Sequence, residues 1–234
     1  MISVCIPTYN GEKYLKQQLD SIIPQLSQND EIIVSDDSST DDTKNILKKY
    51  KEDYPFIQLF LDNKFKSPIY NLENALKHAN GDFIFLSDQD DIWKKNKVQI
   101  CMNYLQTYDL VVSDADVIDS NNTIIYESFF SINNTKQGKW YNLLKNGYLG
   151  CCMAFNKQLL TSILPFPHNL PMHDIWIGNY ASFKGYKVEF IKEKLIAYRR
   201  HGQNASIASE KSKRKILSRL KDRYIILYNL KKHK

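Results

Sequence analysis

Short β-rich segments alternate with segments of helical periodicity through the first half of this chain, and this alternation constrains the fold more than any other feature. The segment ISVCIP at residues 2–7 precedes a helical stripe at residues 11–26, and residues 30–50 repeat the same order. Alternation of this kind is typical of βαβ units, in which the strands pair in parallel and the helices cover the sheet. The sequence therefore predicts an α/β fold with a mainly parallel central sheet.

Polar clusters follow three of the predicted strands. These clusters are TYN at residues 8–10, SDDSSTDD at residues 35–42 and SDQDD at residues 87–91. In parallel α/β sheets, ligands bind at the carboxyl ends of the strands, which meet at one edge of the sheet. We therefore expect the three clusters to converge and to form a single site.

The third cluster places Asp88, Asp90 and Asp91 within four positions. Carboxylates at this spacing repel one another, and a hard divalent cation such as Mg²⁺ or Mn²⁺ would relieve the repulsion through its preference for oxygen ligands. The alternative interpretation is that Asp90 or Asp91 caps a helix that begins near Ile92. The residues by themselves leave both interpretations open.

Three other polar motifs also allow a structural and a functional interpretation. The carboxylates of residues 35–42 either form ordinary turns or accept hydrogen bonds from a base and a ribose. In HDIW, Asp174 is either a helix cap or a general base for a hydroxyl group, and Trp176 either stacks on a sugar or belongs to the core. In YRRHGQN, His201 is either part of a solvated basic loop or a ligand of a metal or phosphate.

Several classes of protein are disfavoured by what the sequence lacks. It contains neither GxGxxG nor GxxxxGK[ST], which argues against a dinucleotide oxidoreductase and a P-loop enzyme. No secretion signal and no apolar run of about 20 residues is present, so we expect a cytoplasmic protein. The cysteines form no CxxC pair and are expected to pack as buried thiols. They are Cys5, Cys101, Cys151 and Cys152.

The formal net charge of +6 is unevenly distributed along the chain. Residues 211–234 contain ten Lys or Arg and one acid, so the other 210 residues carry a net charge of −3. A basic helix that also contains apolar side chains suits an anionic membrane surface. Packing on its own domain or on a partner in a homodimer is the alternative. Nucleic-acid binding is disfavoured because the rest of the chain is acidic.

Taken together, the motifs resemble glycosyltransferase family 2, which has the GT-A (Rossmann-like) nucleotide-sugar-binding fold. The resemblance covers residues 2–205, and SDQDDIW is similar to a subgroup of bacterial polysaccharide enzymes that includes many rhamnosyltransferases. It implies a catalytic domain at residues 1–205, with a nucleotide-sugar-binding half at 1–115 and an acceptor-side half at 116–205. Residues 206–234 would form a basic amphipathic helix.

The resemblance also implies a role for each matching residue. Asp174 would be the catalytic base, Asp90 a ligand of Mg²⁺ or Mn²⁺, and His201 a second group near the metal or the diphosphate. His173, which stands where an acid is common in the family, and Trp176 would lie on the acceptor side. The residues expected to contact the nucleotide or the donor are Pro7, Thr8, Tyr9, Asp36, Asp37 and Asp88.

The function implied by the resemblance is inverting, metal-dependent transfer of a sugar from a nucleoside diphosphate sugar. Rhamnose from dTDP-rhamnose is favoured, and a UDP-hexose is the alternative. The acceptor would be a hydroxyl of a bacterial surface polysaccharide or a lipid-linked oligosaccharide, which suits a peripheral position on the inner face of the plasma membrane. A non-catalytic nucleotide-sugar-binding subunit and a nucleotidyltransferase are the alternatives from other classes.

Overall fold

The fold was analysed in a computed structural model that describes residues 1–200 and 216–233 of the 234-residue chain. The described residues form a mixed α/β structure around one nine-stranded sheet. The strands are β1 (Ile2–Thr8), β2 (Glu31–Asp36), β3 (Ile57–Phe60), β4 (Phe83–Leu86), β5 (Ile92–Trp93), β6 (Leu110–Ile118), β7 (Ile124–Tyr126), β8 (Met153–Asn156) and β9 (Val188–Arg199). The helices are α1 (Glu12–Ile22), α2 (Thr43–Asp53), α3 (Pro68–Lys77), α4 (Lys97–Leu105), α5 (Phe129–Asn133), α6 (Lys139–Leu144), α7 (Lys157–Ile163), α8 (His173–Phe183) and α9 (Ile216–Lys232).

The sheet has the strand order β3-β2-β1-β4-β8-β6-β9-β5, and β7 pairs with β6 outside this path. The first four strands in this order are all parallel, which confirms the βαβ prediction for the N-terminal half. β8 runs antiparallel to both β4 and β6, whereas β6 and β9 are parallel to each other. The carboxyl ends of β1, β2 and β4 therefore lie at the same edge of the sheet.

Burial of apolar side chains explains why these segments adopt their observed elements. Every residue of β2 is buried, as expected for a strand covered on both faces. On α1, Leu15, Leu19 and Ile22 recur at intervals of three or four residues and are all fully buried against the sheet. All four cysteines are free and buried, which confirms that they pack as small hydrophobic residues.

One of the alternatives for the third polar cluster is wrong. No helix begins near Ile92, because Ile92 and Trp93 form β5 and pair antiparallel with β9. The next helix begins at Lys97. The reason is a long-range contact: a carboxylate oxygen of Asp91 accepts the backbone N–H of Arg199 at 2.8 Å, which joins this segment to β9.

The C-terminal helix α9 packs on the body of the protein through one face. Ile226 and Leu230 are buried at the contact with α8. On the same helix, Leu220, Tyr224 and Tyr228 are exposed and do not join this face. In the described part of the chain, no helix combines the length and the apolar character needed to cross a bilayer.

Candidate active site

A cavity of about 960 Å³ opens at the carboxyl edge of the parallel strands. It is bounded by the loops after β1, β2 and β4 and by the first turn of α8. The structure thus brings together residues of the three polar clusters and of the HDIW motif, which lie as far apart in sequence as Thr8 and Asp174. The predicted site residues that line this cavity are Pro7, Thr8, Tyr9, Asp37, Asp88, Asp90, His173 and Asp174.

The loops after β1 and β4 are joined by the side chain of Gln89. Its amide group donates to the carbonyl of Tyr9 at 2.9 Å and accepts the N–H of the same residue at 2.8 Å. A Cβ atom on Gly11 would lie 2.5 Å from the Gln89 side-chain oxygen, so any other residue at position 11 would displace this side chain. Gln89 was not predicted to be important, since only long-range contact reveals its role.

The two adjacent acids after β2 have different positions. Asp37 lines the cavity, and its carboxylate accepts the backbone N–H groups of Phe65 at 2.7 Å and Ser67 at 3.2 Å. Asp36 is fully buried, and its carboxylate accepts hydrogen bonds from the Thr8 hydroxyl at 2.8 Å and from Ser39. The structure therefore places Asp36 behind the loop, where it fixes Thr8, rather than in the cavity with the donor-side residues.

Negative charge is concentrated where β4 ends. Burial, together with the nearby carboxylates of Asp90 and Asp174, raises the pKa of Asp88 to about 7, and Lys97 opposes this rise. Asp88 and Asp90 both line the cavity. This crowding of carboxylates is what a divalent cation would relieve, so the donor set fits Mg²⁺ or Mn²⁺.

A second potential ligand group lies deeper at the same strand end. Ligand atoms of Asp88, Asp91 and Cys151 lie within 4.8 Å of one another. Asp91 is already used structurally by the N–H of Arg199, and a thiol is a poor ligand for the hard cations Mg²⁺ and Mn²⁺. The oxygen pair of Asp88 and Asp90 is therefore the better match to these ions.

The first turn of α8 carries two buried titratable groups. Burial raises the pKa of Asp174 to about 7, although a carboxylate oxygen accepts the N–H of Ile175 at 2.6 Å. Burial lowers the pKa of His173 to about 4, so its imidazole is neutral at pH 7. Its Nδ1 has no hydrogen-bond partner among the residues that the structure describes, whereas Nε2 faces Gly150. This site therefore offers a carboxyl group that titrates near neutrality beside an uncharged imidazole.

The structure corrects the expectation for Trp176. Its indole is fully buried, and Nε1 donates to the carbonyl of Ile163 at 3.2 Å. Trp176 lies two positions after Asp174 on the helix, so it points toward the core when Asp174 points toward the cavity. An enclosed indole presents no face to a sugar. His201, the other tentative site residue, lies outside the described residues.

Two buried cations beneath the cavity were not predicted. The guanidinium of Arg199 donates to the carbonyl of Asp90 at 2.7 Å and to the side chains of Gln17 and Asn122 at 2.9 and 2.6 Å. Lys97 is fully buried and donates to the carbonyl of Cys151 at 2.8 Å. Arg199 therefore joins the acidic loop to α1 and to the turn between β6 and β7.

The chain was compared with families of known proteins. The sequence model of "Glycosyl transferase family 2" matches residues 3–164, so the chain belongs to this family, and its sheet has the GT-A fold. Transfer with inversion is typical of this family. The chain is therefore a glycosyltransferase of family 2.

Named relatives and solved structures show the range of this similarity. The chain is 31% identical over 212 residues to the dTDP-rhamnosyl transferase RfbG of Shigella flexneri, covering 84% of this chain and 72% of that protein. Staphylococcus aureus TarS 1–349 in complex with UDP-GlcNAc has a TM-score of 0.68 at 22% identity, covering 89% of this chain and 60% of that one. The mannosyltransferase PcManGT from Pyrobaculum calidifontis, in complex with GDP-Man and Mn²⁺, has a TM-score of 0.62 at 22% identity, covering 82% and 54%. These two structures share the fold with this chain.

Proposed function

We propose that this glycosyltransferase moves a sugar from a nucleoside diphosphate sugar to a hydroxyl of a bacterial surface polysaccharide or a lipid-linked oligosaccharide, with inversion and with the help of Mg²⁺ or Mn²⁺. The observation that carries the proposal is that Asp37, Asp88, Asp90 and Asp174 line one cavity. Rhamnose is the favoured sugar, because the relative from Shigella is a dTDP-rhamnosyl transferase.

The nucleotide would bind at the ends of β1 and β2. Pro7, Thr8 and Tyr9 form one wall there, and the exposed ring of Tyr9 is available to a base. Asp37 is held in place by two backbone N–H groups, so its carboxylate is oriented before a ligand arrives. Such an oriented acceptor can bind a base N–H or a ribose hydroxyl without a further loss of side-chain freedom.

Asp88 and Asp90 would hold the divalent cation. When bound, the ion would stabilise negative charge on the departing diphosphate. Two side chains of opposite charge to the diphosphate, Lys13 and Lys66, also line the cavity. We expect them to attract the donor electrostatically, whether or not they contact it directly.

Asp174 would remove the proton from the attacking hydroxyl. A base works best when its pKa lies near the working pH, and burial places the pKa of Asp174 at about 7. The neutral imidazole of His173 can accept or donate a hydrogen bond beside it, which would orient the acceptor hydroxyl. His173 would therefore act by positioning and Asp174 by proton transfer.

A UDP-hexose is the second candidate donor, because TarS was solved in complex with UDP-GlcNAc.

The purified chain should be assayed for donor hydrolysis against dTDP-rhamnose, UDP-glucose, UDP-galactose, UDP-GlcNAc and UDP-GalNAc, each with Mn²⁺ or with EDTA. We expect one donor to be consumed faster than the others and EDTA to stop the reaction. Binding without hydrolysis or transfer of any donor would favour a non-catalytic subunit. Release of diphosphate from a nucleoside triphosphate and a sugar phosphate would favour a nucleotidyltransferase.

We also propose a peripheral position on the inner face of the plasma membrane, supported by the basic composition of residues 211–234. A homodimer formed through the same segment is the alternative.

A further inference from the structure

Two helices outside the cavity, α6 and α9, both pack on α8 and expose large apolar side chains. The guanidinium of Arg223 on α9 donates to the carbonyl of Leu144 at the end of α6, at 2.6 Å. Trp140 and Leu144 on α6 are each 61% exposed, and Tyr224 on α9 is 66% exposed. We call the following set the α6–α9 surface: Trp140, Leu144, Leu220, Tyr224, Leu227 and Tyr228.

The exposed residues of α9 form a second apolar face, separate from its buried face. They occur at positions 220, 224, 227 and 228, a spacing that gathers them along one side of a helix. Ile226 and Leu230 point the other way, into the contact with α8. A helix that packs through one face normally turns polar residues outward, so this outer face indicates a binding surface.

The charge around the surface is almost entirely positive. Residues 134–147 and 216–233 contain eight Lys or Arg and a single acid, Asp222. Lys232 lies 4.6 Å from the centre of the Tyr228 ring, and Lys139 lies 5.5 Å from the ring of Phe183, which Trp140 contacts edge-on. Aromatic and aliphatic side chains surrounded by lysines match the interface of an anionic bilayer, where rings sit among headgroups and cations meet lipid phosphates.

The same charge argues against a second copy as the occupant. In a twofold dimer each partner presents the same residues, so these cations would face one another. Repulsion between like charges would then oppose the apolar contact. An anionic lipid surface is attracted by the same residues, which decides between the two occupants.

We propose that the α6–α9 surface docks the protein on an anionic lipid bilayer and that α6 is a part of this contact. This inference rests on the proposed function and extends it, since α6 lies outside the basic C-terminal segment. It also links the membrane to the cavity. The chain runs from α6 to Leu149 and Gly150, which line the cavity, and α9 packs on α8, whose first turn carries Asp174. A hydroxyl carried on a lipid would thereby be brought to the acceptor side.

The proposal is tested by sedimentation of the purified full chain with vesicles of phosphatidylcholine alone or mixed with phosphatidylglycerol. We expect binding to the mixed vesicles, weaker binding as NaCl is raised, and little binding to phosphatidylcholine. Trp140→Ala and Tyr224→Ala should each weaken binding about tenfold. Ile125→Ala on β7, which removes a 44% exposed apolar side chain elsewhere, is the control and should bind normally. Circular dichroism should show that all three variants are folded.

Three outcomes would overturn the proposal. Equal binding to both vesicle types would overturn the role of charge, and normal binding by Trp140→Ala would overturn the role of α6. A dimer in light scattering that Trp140→Ala dissociates would assign the surface to a second copy. Donor hydrolysis is measured on the same samples in the absence of vesicles, which separates this proposal from the proposed function. If a sample binds vesicles but hydrolyses no donor, the proposed function is contradicted and the role of the α6–α9 surface is not.

Discussion

At the scale of single residues, the cavity contains two carboxyl groups whose pKa is raised to about 7 for partly different reasons. Burial is the largest cause for both Asp88 and Asp174, and the neighbouring acids Asp90 and Asp174 add to it for Asp88. A cation bound by Asp88 would reverse its shift, whereas the shift of Asp174 comes mainly from its own enclosure. The two acids are therefore suited to separate tasks.

Replacing Asp174 with Asn should reduce transfer by roughly 10²–10⁴-fold, the usual contribution of a general base, because the amide cannot take a proton. Donor binding, measured by calorimetry with a nucleotide-sugar, should change little, since the amide has nearly the same shape. Equal losses of binding and turnover would show that Asp174 acts in donor binding instead.

The pH dependence of transfer should follow the ionisation of Asp174. Only the ionised carboxylate can accept the proton, so the rate should rise with pH and level off above about 7. The residual activity of Asp174→Asn should lack this rise. A wild-type rate that is constant between about pH 5 and pH 8 would contradict the role of Asp174 as base.

Replacing Asp90 with Ala should weaken binding of the donor in the presence of Mn²⁺ and leave the weaker binding in EDTA unchanged, because only the metal-held part of the affinity is lost. Asp91→Asn is the informative comparison. Asp91 is buried and accepts the N–H of Arg199, so this change should lower stability rather than metal dependence. If Asp91→Asn abolished the effect of Mn²⁺ and Asp90→Ala did not, the metal would be bound by the group of Asp88, Asp91 and Cys151 instead.

At the scale of elements, the acidic loop after β4 is held by its contacts with β9, α1 and the turn between β6 and β7. Arg199 makes these contacts while its guanidinium lies 4.4 Å from the centre of the Tyr14 ring, which lines the cavity. The planar guanidinium of Arg199 carries several hydrogen-bond donors, so it can bind all of these acceptors at once, which the ammonium group of a lysine cannot do.

Arg199→Lys should therefore lower the free energy of unfolding by about 3 kcal/mol, since several buried acceptors lose their donors. Urea unfolding measures this loss, and donor binding should weaken with it because the loop is less well fixed. Arg200→Lys is the control. Arg200 is half-buried, so its replacement should cost less than about 1 kcal/mol. Equal effects of the two changes would refute the special role of Arg199.

The elements with strong local patterns were predictable from sequence. β1, β2 and β4 follow from their apolar runs, and the meeting of their polar ends follows from parallel pairing. The pairing of β5 with β9 was missed, because it joins residues more than 100 positions apart and β5 has only two residues. Local periodicity contains no information about such a contact.

Prediction of the site residues from sequence was incomplete for the same reason, because the direction of each side chain depends on long-range contacts. Asp37 lines the cavity whereas Asp36 is buried behind it, and the sequence does not show which of two adjacent side chains turns outward. For Trp176 the sequence allowed either a sugar contact or the core, and the structure shows the core. The sequence could not decide between them because α8 is buried on most of its sides. Arg199 and Lys97 are polar residues in the interior, and sequence patterns assign such residues to the surface.

At the scale of the whole molecule, the acidic cavity and the basic α6–α9 surface are separate regions that both contact α8. We expect anionic vesicles to increase the rate of transfer to a lipid-linked acceptor and to leave donor hydrolysis unchanged, because the membrane concentrates the acceptor and not the donor. Trp140→Ala should lose the increase while Ile125→Ala keeps it. If the vesicles increased donor hydrolysis as much as transfer to the acceptor, the membrane would be acting on the site of the reaction itself and not through the acceptor concentration.

The central claim is that one cavity holds the donor between the acids after β4 and the carboxylate of Asp174. A crystal structure of the protein with Mn²⁺ and dTDP-rhamnose, or with the donor identified by hydrolysis, tests it most directly. The claim predicts an ion on Asp88 or Asp90, the diphosphate on that ion, and the anomeric carbon facing Asp174. An empty cavity beside a donor bound elsewhere, or a sugar turned away from Asp174, would contradict it.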